Sequence, residues 1–397
     1  MLRILVRLSF VFAFFAFSGC EKEDLISVSV SKEKIEFPEV GGTAEFSIST
    51  NAASWEITSN LPWLQLSKST GTRGTSTIEV TALTNPDNVI RTGNLTLTAG
   101  NAAPKEIKII QKGQLYPSYN TSPIPPDASG MTSSAIELAG KIKLGWYIGN
   151  SLEAIGSETT WGNPLITPEL IQLVKQNGFN AIRIPCAWNQ YMENSANAKI
   201  KTEWLNRVKE VVQYSVDEGM YVVLNIHWDG GWLENNVTPA KQAENNAKQK
   251  AFWEQIATHL RDFDEHLMFA GTNEPNVDNA TQMAVLNSYL QTFVDAVRST
   301  GGKNSYRVLV VQGPSTDIEK TNTLMTSLPI DQIANRMMAE VHYYTPYQFS
   351  LMESDANWGN MFYYWGKDFH SLTDPTRNAT WGEEATVDSM RDCADSW

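Results

Sequence analysis

Leu267-Met268-Phe269-Ala270-Gly271-Thr272-Asn273-Glu274-Pro275 is the stretch on which the fold turns. Four apolar residues, enough for a short buried strand, run directly into a polar Asn-Glu-Pro group. The pattern recurs along the chain. Asn180-Ala181-Ile182 leads into Arg183, Val223-Leu224-Asn225-Ile226 into His227, and Met338-Ala339-Glu340-Val341 into His342 and Tyr344. Each polar group lies at the C-terminal end of a candidate strand. In a (β/α)8 barrel that is the face on which active sites are built. One polar strand end is ordinarily a cap or a turn, whereas four in register mark a site.

Outward from this stretch, residues 131–397 alternate strands with amphipathic helices. Strands are predicted at 143–148, 181–184, 221–226, 267–270, 308–311 and 338–341, and helices at 168–177, 203–218, 243–262, 280–299 and 318–327. Such alternation makes a parallel sheet covered on both faces. Gly178, Gly219 and Gly301-Gly302 fall where helices should end. Residues 25–113 follow another pattern: short period-two runs such as Ala44-Phe46-Ile48 and Leu95-Leu97, with turn residues between them, predict a small β-sandwich. Residues 114–130, with Pro117, Pro123, Pro125 and Pro126, read as an extended linker.

The first residues are a processing signal. Arg3 and Arg7 precede an apolar stretch, Leu8 to Phe17, too short to span a bilayer. Phe17-Ser18-Gly19-Cys20 resembles a bacterial lipobox, which makes 1–19 a signal peptide and Cys20 the lipid-modified residue. Glu21-Lys22-Glu23-Asp24 resembles the export signal of Bacteroidetes surface lipoproteins, so 20–24 is a tether and the outer membrane surface the expected location. Cys186 and Cys393 define neither a disulfide framework nor a metal site.

The 397 residues carry a formal charge of -13, which argues against nucleic acid as a partner. The 13 tryptophans exceed what packing usually needs and suit a protein that stacks indoles on sugar rings. Trp161, Trp188, Trp228, Trp232 and Trp365, in or near the loops of the active face, are the candidate platforms. Glycoside hydrolysis takes two carboxyl groups flanking the bond, one of which protonates the leaving oxygen. Glu274 suits that acid. Asn273 beside it is placed to bind a sugar hydroxyl, Arg183 and Tyr344 to orient a second carboxylate, and His227 and His342 to line the cavity.

Residues 140–384 resemble glycoside hydrolase family 5, most closely its subfamily 4 of endoglucanases and xyloglucanases. The resemblance rests on Gly145-Trp146-Tyr147-Ile148-Gly149-Asn150-Ser151-Leu152-Glu153, Glu158-Thr159-Thr160-Trp161-Gly162-Asn163-Pro164 and Ile182-Arg183-Ile184-Pro185. Asn225-Ile226-His227-Trp228-Asp229-Gly230-Gly231-Trp232, Asn273-Glu274-Pro275 and Val341-His342-Tyr343-Tyr344 complete it. It implies a retaining (β/α)8 enzyme that acts on β-glucan as a monomer without metal or cofactor, with Glu274 as acid/base. Arg183, His227, Asn273, His342 and Tyr344 would form the shell around it. Trp228 stands where many members have a second histidine. The segment 25–113, through Trp55-Glu56-Ile57, Pro62-Trp63-Leu64 and Ile109-Ile110-Gln111-Lys112-Gly113, resembles a BACON-type module, expected to be a spacer more than a sugar binder.

One element of the family pattern is missing. The resemblance implies a nucleophilic Glu after the seventh strand, in a Gly-Glu-Phe-Gly-like motif that these residues lack. Six strands are visible, and the stretch from Glu383 to Trp397 is shorter than the roughly 30 residues of another strand-helix-strand unit. The expectation is therefore an α/β chain, a (β/α)8 barrel lacking its last two strands and its nucleophile, preceded by a small all-β sandwich. Such a chain would have little turnover of its own and exposed sheet edges. Cellulose, mixed-linkage glucan and xyloglucan all stay open as substrates. The competing functions are a non-catalytic surface glycan-binding lipoprotein and a family 5 mannanase.

Overall fold

The computed structural model describes residues 25–383, which divide into two units, residues 25–85 with 89–113 and residues 86–88 with 114–383. Cys20, the tether 20–24, Glu384 and Cys393 lie outside the described residues.

Alternation builds the first unit. Its strands lie in the order Lys34–Phe37, Lys105–Gln111, Arg91–Ala99, Gly42–Thr58, Thr70–Ala82, Leu64–Leu66, with Val28–Val30 also on Gly42–Thr58. The long strand slips register between Thr50 and Ser54, a bulge of the kind that bends a strand. Beyond it, Trp55–Thr58 pairs with Arg91–Ala99 as well. Every second residue points inward, so Ile48, Ile78, Leu95, Leu97, Ile107 and Ile109 are fully buried. Trp55 is buried among them, and the Arg91 guanidinium lies 4.5 Å over the Trp63 ring.

The second unit is an α/β arrangement of the (β/α)8 type. Six parallel strands, Gly145–Tyr147, Ala181–Ile184, Tyr221–Asn225, Leu267–Ala270, Leu309–Gln312 and Met337–Glu340, neighbour one another in chain order. All six lie within two residues of the sequence expectation. The helices Pro168–Gln176, Thr202–Asp217, Gln242–Leu260 and Ala280–Ser299 match as closely, while Ile318–Leu324 ends three residues early. Among the described residues the sheet has two edges, Gly145–Tyr147 and Met337–Glu340, and Trp146 and Tyr147 at the first are exposed.

Parity sorts the strand residues. Ile182, Ile184, Leu267, Phe269, Leu309 and Val311 face the covering helices. Met268, Ala270, Val308 and Val310 face inward, where they meet Ala135 and Leu138 of a helix not expected from the sequence, Ala135–Lys141. A capping box starts that helix: Ser134 Oγ accepts from the Glu137 N–H, and the Glu137 carboxylate accepts from the Ser134 N–H at 2.7 Å. The interior thus ends in an apolar plug.

The Pro-rich segment is no free linker, since it is fastened to the second unit. The buried Glu254 carboxylate accepts from the Tyr119 N–H at 2.6 Å, the Asn120 N–H at 3.2 Å and the Ser118 hydroxyl at 3.0 Å. Ile124–Pro126 pairs with Gly301–Gly302, which the sequence suggested as a helix cap alone. A Cβ on Gly301 would collide with the Ile124 carbonyl oxygen, so only glycine permits this pairing.

Candidate active site

Above the plug, the inward residues at the strand ends turn polar and bond to one another. Arg183 Nε donates to Glu340 Oε1 at 2.7 Å and its Nη2 to Asn273 Oδ1 at 2.9 Å. Gln312 Nε2 donates to the other Glu340 oxygen at 2.6 Å, and Gln312 Oε1 accepts from the Thr272 N–H at 2.9 Å and hydroxyl at 3.0 Å. This polar layer joins the second, fourth, fifth and sixth strands. On it opens a cavity of about 420 Å³ lined by Tyr147, Arg183, His227, Asn273, Glu274, Glu340, His342, Tyr343 and Tyr344. All six residues expected to carry or support the chemistry are there together. Tyr147 joins them without having been expected as a site residue: its hydroxyl lies 3.4 Å from His227 Nε2, and its ring lies 5.5 Å from the Arg183 guanidinium carbon.

Glu274 is held from both sides. His342 Nδ1 stands 2.5 Å and the Tyr344 hydroxyl 2.7 Å from Glu274 Oε1, and the Glu274 N–H donates to Glu234 Oε1 at 2.8 Å. Glu234, in the loop after the third strand, is itself buried. From the loop after the fifth strand the Thr316 hydroxyl donates to the Asn273 carbonyl, while the Thr316 carbonyl accepts from the His342 N–H at 2.8 Å. Ser315 and Thr316 are both left-handed, with φ of 52° and 51°, and the Ser315 N–H donates to the Pro275 carbonyl at 2.7 Å. Non-glycine residues in that region carry strain, here sustained by bonds to the Asn-Glu-Pro turn. Glu234 and Thr316 are positioning residues that the sequence did not reveal.

The charges are coupled. Burial alone would raise the Glu274 carboxyl, but the bonds from His342 and Tyr344 hold it below the usual carboxylate range. Burial would likewise raise Glu340, yet His342, Arg183 and Gln312 pull it down to about 2. His342 is moved the opposite way: its burial is outweighed by Glu274 and Glu340, and its affinity for a proton rises. His227, buried and near Arg183, falls to about 3 and stays neutral. Glu274 and Glu340 are the carboxyl groups that line this cavity among the described residues, and the His342 ring stands between them. Glu383, away from this cavity lining, accepts from the Gly366 N–H at 2.6 Å and lies 2.8 Å from His370 Nε2.

The tryptophans divide. Trp188 is fully buried with its indole N–H on the Asn225 carbonyl at 3.0 Å, and Trp232 is buried with its own on Asp229 at 3.2 Å and its edge against Phe252. Neither offers a ring face to a sugar, contrary to expectation. Both answer to Asp229, which also accepts from the Trp188 N–H at 2.8 Å and which burial pushes up to about 7. Trp161 and Trp228 are exposed, and Trp365 is half-buried against Phe349. A larger arm of the cleft, about 950 Å³, runs from Glu274 past Tyr344 and Tyr347 to Trp381. Tyr347 and Trp381 are aromatic walls absent from the expected set.

Residues 147–393 match the family model of cellulase (glycosyl hydrolase family 5), and residues 53–112 match BACON, a putative N-terminal binding domain. The chain is 35% identical to the xyloglucan-specific endo-beta-1,4-glucanase of Bacteroides ovatus, across 93% of this chain and 76% of that protein. It is 36% identical to endoglucanase A of Paenibacillus barcinonensis, across 69% of this chain and 72% of that protein. Among solved structures, the Bacteroides ovatus xyloglucanase in complex with a XXXG heptasaccharide superposes with a TM-score of 0.63 at 33% identity, covering 93% of this chain and 81% of the other. A xyloglucan-specific beta-1,4-glucanase from a ruminal metagenomic library, in complex with XXLG, gives 0.60 at 41% identity, covering 66% and 72%.

Proposed function

This chain belongs to glycosyl hydrolase family 5, and from that premise we propose that it is a retaining endo-β-1,4-glucanase acting on xyloglucan. The observation that carries this is Glu274, at the end of the fourth strand, with its Oε1 in the cavity against His342 and Tyr344. Glu274 protonates the leaving oxygen while a nucleophilic carboxylate, which no described residue supplies, bonds the anomeric carbon, and Glu274 then takes a proton from the water that displaces that carboxylate. Xyloglucan is favoured by two xyloglucan-specific relatives and by the open arm beside Glu274, which leaves room for a branched chain.

A second function, glycan binding without cleavage, is favoured by one observation: no described carboxylate faces Glu274 directly across the cavity. Affinity electrophoresis in xyloglucan, barley β-glucan and mannan gels, run with reducing-end assays on the same sugars, separates the two. Retardation in xyloglucan with sugar release lost in Glu274→Gln supports the glucanase. Retardation with no Glu274-dependent release supports binding alone, and retardation only in mannan refutes the glucanase.

We also propose anchoring through a lipid on Cys20 at the cell surface and action as a monomer. The lipobox-like Phe17-Ser18-Gly19-Cys20 supports the anchor. Palmitate labelling lost in Cys20→Ala tests the anchor.

A further inference from the structure

Glu340 closes the sixth strand two residues before His342 and lines the floor of the cavity, but neither of its oxygens is free for a sugar ring. Its contacts instead converge on the groups that serve Glu274. One oxygen takes Arg183 Nε at 2.7 Å and stands 3.0 Å from His342 Nε2; the other takes Gln312 Nε2 at 2.6 Å. Both nitrogens of the His342 ring therefore face carboxylate oxygens, Nδ1 toward Glu274 and Nε2 toward Glu340. An ionised carboxylate only accepts, so two such contacts call for a proton on each ring nitrogen.

We infer that Glu340 is a positioning residue for the acid/base group, holding His342 with Nε2–H down on itself and Nδ1–H up against Glu274. A proton is thereby stored beside the one carboxyl that has to donate one. The charged and titratable groups facing His342 are Glu274 above, Glu340 below, Arg183 from the second strand, His227 after the third and Tyr344 on its own segment. Two carboxylates against one guanidinium favour the imidazolium. When Nδ1 releases its proton to Glu274, the ring keeps Nε2–H on Glu340. One tautomer results, with its lone pair aimed where the proton must return.

This inference rests on the glucanase reading for its purpose, but its test needs no turnover. The full chain labelled with 15N-histidine is titrated, and His342 is assigned by its loss in His342→Gln. At about pH 7, where a free imidazole is mostly neutral, His342 should carry both protons. In Glu340→Gln its proton affinity should fall about tenfold or more, as expected when a carboxylate in contact is neutralised. A single neutral tautomer at that pH in the unaltered chain overturns the inference, as does an unchanged titration in a folded Glu340→Gln. If that variant does not fold, the unaltered chain decides alone. Failure to cleave xyloglucan with the expected titration intact counts against the glucanase reading and leaves this one standing.

Discussion

Glu234 should matter more to this site than any residue that touches a sugar, because the backbone of the acid/base residue hangs from it. In Glu234→Ala the Glu274 N–H loses its acceptor at 2.8 Å, and the Asn273 amide loses a partner as well. A stranded donor of this kind costs about 1–3 kcal/mol. The lost methylene adds about 0.8 kcal/mol. Removing one of two neighbouring carboxylates gives a little back, for burial already pushes the Glu234 carboxyl up and Glu274 adds to that. The net expectation is a loss of about 2–4 kcal/mol in urea unfolding. Glu234→Gln should lie between the two, since it keeps one acceptor but turns an NH2 toward the Asn273 amide. Turnover of xyloglucan should fall about 10–100-fold in the alanine variant with KM little changed, because the acid moves and the sugar walls do not. An alanine variant as stable and as fast as the unaltered chain would mean that Glu234 does not position the acid.

Thr316→Val, nearly isosteric and fully buried, removes only the hydroxyl that donates to the Asn273 carbonyl; urea unfolding should show a loss of about 1–3 kcal/mol, and Thr316→Ser should retain most of the lost stability. His227, held down to about 3 by burial and by Arg183, stays neutral in the folded chain while the unfolded chain protonates. Stability should therefore fall as pH drops from about 6.5 toward 3, and His227→Asn should flatten that part of a thermal-unfolding series.

Much of this was legible because parallel strands covered on both faces appear as short apolar runs. Leu267-Met268-Phe269-Ala270 ends in Asn273 and Glu274 in the structure as in the sequence, and parity then sends Arg183 and Glu340 inward. The positioning residues were not legible for a physical reason. Glu234 and Thr316 act through backbone N–H and C=O groups of another loop, and such pairings leave no periodicity. The tethering of Tyr119 to Glu254 spans 135 residues, so proline content showed an extended linker but not what it is fastened to. Tryptophan number carries no information on exposure, which is why Trp188 and Trp232 passed for platforms while Tyr347 went unnoticed. The helix Ala135–Lys141 did leave a signal, the Ser134-to-Glu137 capping box, in a segment too short to show a helical period.

The acidic composition turns out to say little about the site. Of the groups lining the cavity, Glu274 and Glu340 are negative, Arg183 is positive and His227 neutral, and His342 is an imidazolium on the inference above. The lining balances, so the surplus behind the formal charge of -13 lies elsewhere. A balanced, aromatic-walled cavity suits a neutral polysaccharide in its ground state. Cleavage asks for something more, because positive charge grows on the sugar ring in the transition state. Neither carboxylate is free to meet it: Glu274 is bound to His342 and Tyr344, and Glu340 to His342, Arg183 and Gln312. Binding and cleavage therefore make different demands on this cavity. Retardation in a xyloglucan gel tests the balanced lining, and Glu274-dependent sugar release tests whether a further carboxylate meets the ring.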